Sequence, residues 1–312
     1  MPVYNDWAAA QKLLVGIDAA LATVPCRGRV LIVNDASTEE PDTGWPKGLT
    51  HADGVWILHL RRNLGHQRAI AMGLVQVQQN WPDAEAVVVM DGDGEDRPQD
   101  IPALLTRFEV EGGRKVVFAA RSKRLESAAF QFFYGIYRML HKVLTGISVR
   151  VGNFSVLPPQ ALHRLMVAPE LWNHYAAAVF RARLPHASIP LPRGTRLDGR
   201  SKMNFVSLLV HGLSAISVFS DVVGARLLAV AALAIAFTGA LLGVVAGVRL
   251  FTNLAIPGWA TYVTGILLIV MAQALIVSLA LVFIVVSGRA APSFLPIRDA
   301  PYFVDRVEQV HG

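Results

Sequence analysis

Cysteine is nearly missing from this chain. A single thiol, Cys26, in 312 residues excludes an internal disulfide and fits a reducing, cytoplasmic setting. Charge is sparse too: Asp, Glu, Lys and Arg make up 17% of the residues, against about a quarter in ordinary globular domains. The shortage is concentrated toward the C-terminus. Arg226 and Arg249 enclose 22 uncharged residues, and Arg249 and Arg289 enclose 39 more. About 20 apolar residues cross a bilayer core. LLAVAALAIAFTGALLGVVAGV and TYVTGILLIVMAQALIVSLALVFIVV therefore read as two transmembrane helices forming a hairpin, in keeping with 53% hydrophobic residues and a mean hydropathy of +0.42. A helical hairpin buried in a soluble core is the competing reading, and such cores seldom hold runs this long without a charge. There is no internal repeat, no low-complexity tract and no nucleic-acid motif, so a nucleic-acid partner is not expected. No cleavable signal peptide is expected either, because the N-terminus turns polar within seven residues.

Basic residues set the expected orientation. The connector, about 250–260, carries no charge, whereas Arg226, the Lys- and Arg-containing first 225 residues, Arg289, Arg298 and Arg306 lie at the other ends of the spans. The positive-inside tendency then places both termini in the cytoplasm, as in an integral protein of the cytoplasmic membrane. Trp259 and Tyr262 suit an interface. The net charge of +6 favours an anionic membrane surface or a phosphorylated ligand.

The first 120 residues alternate two patterns. RVLIVND (29–35), GVWILHL (54–60), AVVVMD (86–91) and KVVFAAR (115–121) are short apolar runs that end in polar residues. Helical patterns at 7–22, 65–79 and 98–111 separate them. Buried strands alternating with helices predict an α/β domain with a parallel sheet, whose ligands sit at the carboxyl ends of the strands. Asn34 and Asp35, Arg61 to Asn63, Asp91 to Asp96, and Arg121 all fall at those ends. Farther on, AFQFFYGIYRMLHKVL (129–144) and MNFVSLLVHGLSAISVF (203–219) read either as helices in the membrane interface or as ordinary amphipathic core helices.

MDGDGEDRPQD (90–100) sets Asp91, Asp93, Glu95, Asp96 and Asp100 directly after a buried strand. Carboxylates this crowded repel one another, and a divalent cation is their natural neutraliser. On an extended segment Asp91 and Asp93 point the same way and can face one Mg²⁺ or Mn²⁺, which completes its shell with phosphate oxygens. An EF-hand counted from Asp91 fails, because its sixth and twelfth positions are Asp96 and Pro102 rather than Gly and Glu. A phosphatase with an aspartyl nucleophile would leave the other strand-end clusters and the apolar hairpin without a reason, and a solvated acidic loop is the plain alternative.

PVYND (2–6), VNDAST (33–38), RNLGHQRAIAMGL (62–74), MDGDGEDRPQDIPALL (90–105) and FAARSKR (118–124) resemble the ordered motifs of family 2 glycosyltransferases, and RGTRLDGRSKM (193–203) resembles that family's basic loop. With two C-terminal spans, the chain is similar to the polyprenyl-phosphate glycosyltransferases, which include dolichol-phosphate mannose synthases and bacterial lipid-carrier glucosyltransferases. The resemblance covers about residues 2–290. It implies a GT-A fold and a division into a nucleotide-sugar-binding part (1–124), an acceptor-binding part with interfacial helices (125–225), the transmembrane pair (226–288) and a cytoplasmic tail (289–312). It implies a membrane-bound, inverting, metal-assisted transfer of a sugar from a UDP- or GDP-sugar to a polyprenyl phosphate of undecaprenyl type. The partners are then the nucleotide-diphosphate sugar, the lipid phosphate and the bilayer.

Residue by residue, the resemblance matches Pro2, Tyr4 and Asp6 to the base and ribose pocket. Asp35 matches an acidic residue of the second motif, where Asn34 replaces the acid before it and keeps an acceptor oxygen. Asn63 falls within the third motif. Asp91 and Asp93 match the nucleotide and metal site, with Asp96 as the acidic residue after it. Asp93, Arg121 and Arg196 carry the expected chemistry, with Ser201 and Lys202 beside Arg196 over the diphosphate. Arg121 is the expected clamp for the acceptor phosphate, followed by Arg124, Arg138 and Lys142, which read equally as snorkelling surface charges. The loop of Arg193, Arg196, Arg200 and Lys202 either closes over the diphosphate or rests on anionic lipid. His66 and His174 are the candidate bases, although an anionic acceptor needs little help from one. Asn153 stands where relatives carry an acidic group, and 169–180 lacks the Arg-Gly pair often found there. Members of the family have an apolar strand before the first motif, so a start upstream of Met1 is expected. Gly239, Gly243 and Gly247 give the first span a small-residue face for a second copy or for the other span. A non-catalytic nucleotide-sugar scaffold, or a transferase acting on another lipid or glycan, is the alternative.

Overall fold

The computed structural model describes residues 1–312 apart from 42, 43, 47, 122–134, 136–138, 140, 141, 147–150, 198–212, 253–255, 257 and 291–293, with the backbone alone at 121, 289 and 290. The chain divides into two compact units. The first holds an α/β domain and includes the C-terminal Ser293–Gly312; the second holds the two long apolar helices.

The α/β unit is built on two four-stranded sheets. In one, β1 (Pro2–Val3), β2 (Gly28–Asn34) and β3 (Ala52–Leu60) run parallel, and β8 (Val304–His311) closes the edge antiparallel to β3. In the other, β6 (Ser155–Leu157) lies antiparallel between β4 (Val87–Val89) and β5 (Val116–Arg121), and β7 (His186–Leu191) runs parallel to β5. The expected parallel sheet is therefore a mixed one. The four strands not anticipated are β1, β6, β7 and β8. β1 is two residues long and β6 three, β7 contains Pro190, and β8 is mostly polar on an exposed edge, so none carries a long apolar run.

Strand period decides where the core sits. Successive side chains point to opposite faces. Val30, Ile32, Val55 and Ile57 pack with α1 (Trp7–Leu21) and α3 (Ile101–Val110). Leu31, Val33, Leu58 and Leu60 pack with α2 (His66–Asn80), α4 (Pro159–Leu165) and α5 (Tyr175–Arg181). Ile32, Ile57 and Leu58 are almost fully buried, each worth about 1.5–3 kcal/mol in removed apolar surface. These two cores hold the strand ends, and so the site, in place.

The second unit contains α6 (Ser220–Phe251) and α7 (Trp259–Ala290), which pack against each other and are long and apolar enough to cross a membrane. Close approach is made at Gly224, where an added Cβ would meet Val285 at 2.5 Å. Gly239, Gly243 and Gly247 have no neighbour within 4 Å of such a Cβ among the described residues, so the small-residue face is turned away from the other span.

The segment after α7, expected to be a tail, folds onto the α/β unit. It forms α8 (Pro296–Asp299) and then β8. Ile297 N–H donates to the Met166 carbonyl at 3.1 Å, and Arg61 N–H donates to the Phe303 carbonyl at 2.9 Å.

Candidate active site at the strand ends

The carboxyl end of β4 runs at once into Asp91-Gly92-Asp93. Gly92 is there because β1 passes over it: an added Cβ would lie 2.5 Å from the Pro2 carbonyl oxygen. Gly94 follows at φ +90°, a left-handed turn that favours glycine. The turn is secured from inside. The buried Asp96 accepts the Asp91 N–H at 2.9 Å, and Asp93 accepts the Glu95 N–H at 3.0 Å.

A basic segment from the end of β7 lies along this turn. Gly194 N–H donates to the Glu95 carbonyl at 2.8 Å, and Leu197 N–H to the Asp93 carbonyl at 2.9 Å. Arg193 pairs with Glu95. Arg196 bridges two carboxylates with its planar fork: Nη2 to Asp6 at 2.9 Å and Nη1 to Asp93 at 3.3 Å. All three are largely covered, with 18%, 23% and 22% of the side chain exposed. Residues from three distant parts of the sequence thus meet at one point.

His66 opens α2 opposite Asp91, with Nε2 at 3.0 Å from Oδ1. Asn153 joins them: its Nδ2 is 3.3 Å from the same Asp91 oxygen, and its Oδ1 accepts from Gln67 at 3.2 Å. What burial His66 has opposes its charge, but the carboxylates of Asp91, Asp93 and Asp96 outweigh it and hold the imidazole above its ordinary range. Asp93 is held above the usual carboxylate range, first by burial and then by the charge of Asp91; Arg196, Arg193 and His66 pull it back without cancelling the effect. The rim therefore keeps an excess of negative charge.

Among the described residues, no three His, Cys, Asp or Glu side chains form a ready metal cage. The donor set is instead a pair of carboxylates, Asp91 and Asp93, with Asp96 turned to the Asp91 amide. Mg²⁺ is ordinarily held by one or two carboxylates and takes phosphate and water for the rest of its shell. The pair fits a cation of that kind arriving with a diphosphate.

The second motif holds the neighbouring loop. Asn34 Oδ1 accepts the Ser37 N–H at 2.8 Å. Asp35 accepts the N–H groups of Leu64 and Gly65 at 2.7 and 2.9 Å, which fixes the loop carrying Asn63 at the start of α2. Burial pushes the Asp35 carboxyl up despite these bonds. Asn5 sits at φ +53° and clamps Thr38 by two hydrogen bonds of 2.8 Å, while Trp7 Nε1 donates to the Glu39 carbonyl at 2.8 Å. Pro2 is buried, and Tyr4 is more than a third exposed beside this loop.

The expected residues thus divide. Asp6, Asp91, Asp93, Asp96 and Arg196 are brought together, and His66 joins them. Asn34 and Asp35 anchor the adjacent loop. Arg121 ends β5 opposite Leu191, with only its backbone described. Arg124, Arg138, Ser201 and Lys202 lie outside the described residues. His174 caps α5, its Nδ1 accepting the Ala177 N–H at 3.4 Å, so that buried ring is structural. Asn153 was legible only as a departure from an acidic pattern, and nothing in the sequence marked Arg193 as the partner of Glu95.

The glycosyl transferase family 2 model matches residues 1–164. The chain belongs to that family and is a glycosyltransferase. Its relatives include "Uncharacterized glycosyltransferase YkcC" of Bacillus subtilis, 24% identical over 87% of this chain and 84% of that protein. They also include undecaprenyl-phosphate 4-deoxy-4-formamido-L-arabinose transferases. That of Pseudomonas syringae is 30% identical over 41% of this chain and 36% of that protein. That of Klebsiella pneumoniae is 24% identical over 67% of this chain and 63% of that protein. The chain thus spans less than two thirds of either transferase.

Proposed function

We propose that this glycosyltransferase moves a sugar from a UDP- or GDP-sugar to a polyprenyl phosphate at the cytoplasmic face of the membrane. The carrying observation is Arg196 held between Asp6 and Asp93, next to Asp91, at the ends of β1 and β4. Such a rim of paired carboxylates beside a fixed arginine suits a nucleoside diphosphate arriving with a divalent cation. Two apolar helices and relatives named for undecaprenyl phosphate support a lipid acceptor.

In this reading an acceptor phosphate oxygen attacks the anomeric carbon from the face opposite the nucleotide. The new carbon–oxygen bond forms as the bond to the donor diphosphate breaks, and the diphosphate leaves with the electron pair and inverted sugar configuration results. Arg196 and Arg193 hold the diphosphate by charge-assisted hydrogen bonds. Asp6 and Asp93 hold Arg196 in position. Arg121, at the end of β5, is the candidate clamp for the acceptor phosphate. A Mg²⁺ or Mn²⁺ bound at Asp91 and Asp93 would neutralise the leaving group. No general base is needed, because the acceptor oxygen is already anionic.

The test is nucleotide release by the purified full-length protein with UDP- or GDP-sugars and Mg²⁺ or Mn²⁺, with and without undecaprenyl phosphate. Lipid-dependent release, with sugar extracted into the organic phase, is expected for one donor. A folded protein that releases no nucleotide with any donor and lipid would favour another acceptor or a non-catalytic nucleotide-sugar scaffold.

A further inference from the structure

Three polar side chains stand in a row on one face of three neighbouring strands. Asn34 ends β2 and lies opposite His59 of β3. Glu308 of β8 lies opposite Ile57, diagonal to His59 on the same face. The contacts follow this row: Asn34 Nδ2 to His59 Nδ1 at 3.1 Å, and His59 Nε2 to Glu308 Oε1 at 3.1 Å. Asn34 and His59 are both buried, at 8% exposure.

The network fixes its own hydrogens. Asn34 Oδ1 accepts the Ser37 N–H, so the amide must turn its NH₂ toward His59. His59 Nδ1 is then an acceptor, and Nε2 carries the proton that Glu308 accepts. The carboxylate selects the tautomer that orients Asn34. Asn34 in turn holds Ser37, and Ser37 Oγ accepts the Asn5 N–H at 3.0 Å. A second arm reaches the same place. Arg61 donates from its backbone to Phe303 and from Nε to the Val304 carbonyl at 2.8 Å, at the start of the loop whose amides bind Asp35. Arg306 is the other charge facing Glu308, 3.7 Å away, and it also pairs with Asp305.

We propose that the C-terminal strand positions the donor pocket: Glu308, through His59, fixes Asn34 and the 34–39 loop around the nucleotide. Glu308 is a positioning residue, since its contacts run to His59 and Arg306. This inference rests on the transferase reading above and adds to it a determinant from beyond both apolar helices.

UDP and GDP are titrated calorimetrically into the full-length wild type in lipid nanodiscs and into Glu308→Ala, Glu308→Gln and Arg306→Ala, with a thermal midpoint for each. Glu308→Ala is expected to weaken the nucleotide about three- to tenfold, the loss of one orienting hydrogen bond. Glu308→Gln is expected to restore affinity, because its amide oxygen accepts the same N–H, and Arg306→Ala to leave it unchanged. Should Glu308→Ala fail to fold, Glu308→Met, closer in length, carries the same comparison. Equal affinity in wild type and Glu308→Ala overturns the inference and leaves the transferase reading standing. A Glu308→Gln as weak as Glu308→Ala also overturns it, since acceptance of the proton would not be the cause. Wild type that binds neither nucleotide overturns both together.

Discussion

Arg196 makes its two contacts from the two ends of one planar fork. Its guanidinium spans Asp6 and Asp93 with separate nitrogens, whereas a lysine ammonium would have to reach both from a single point. Arg196→Lys is therefore expected to lower transfer by at least about tenfold, and Asp93→Ala by about a hundredfold or more, in a lipid-dependent release assay. Equal activity in Arg196→Lys would mean that a single charge suffices. Gly92 is constrained by backbone rather than by chemistry. Gly92→Ala sets a methyl group against the Pro2 carbonyl, and a cost of about 1–3 kcal/mol is expected in chemical denaturation. The Asp91-Gly92-Asp93 spelling thus has two causes, charge at its ends and clearance in its middle.

At the level of elements, Asp18 shows how a loop is tied to a helix. Its carboxylate, near the end of α1, accepts the N–H groups of Thr50, His51 and Ala52 at 3.2, 2.8 and 2.8 Å as the chain enters β3. Burial raises this carboxyl, but the three amides and the His51 ring more than reverse that, so it lies below its ordinary value. A depressed carboxyl contributes stability that is full above the unfolded value, about 3.9, and is lost as pH falls through the folded one. Thermal melts from pH 5 down to pH 2 are expected to fall more steeply in wild type than in Asp18→Asn; parallel curves would rule this out. The elements of the N-terminal half were legible because each carries a strong period. The strands expected at 29–35 and 54–60 are found at Gly28–Asn34 and Ala52–Leu60, and the helix expected at 65–79 at His66–Asn80. The acidic turn was legible for the same reason: five carboxylates after an apolar run have few explanations. What was not legible depends on pairing. β6 enters antiparallel between two strands that precede it, and β8 comes from the far end of the chain. Neither the bridge of Arg196 nor the row through Glu308 leaves a mark on local sequence.

For the whole molecule, the order of segments matters more than their number. The two apolar helices are inserted between β7 and β8, so the α/β unit is interrupted and then completed. Ending the chain at Val218 removes the helices but also strips β8 from the outer edge of β3. Such a truncation is expected to aggregate and to melt lower than a variant in which a Gly/Ser linker joins Val218 to Phe294, by size-exclusion chromatography and thermal melting. Equal behaviour of the two would show that β8 adds nothing to the sheet. The same interruption sets a clock during synthesis. Arg61 and its partner Val304 are 243 positions apart. At about 5–20 residues per second, a ribosome takes roughly 12–50 s to travel from one to the other. Both apolar helices are made in that interval, while the β3 edge waits and His59 has no carboxylate. A β3 edge paired with β8 is therefore a record of history: it is found only on a chain whose hydrophobic pair has already been made.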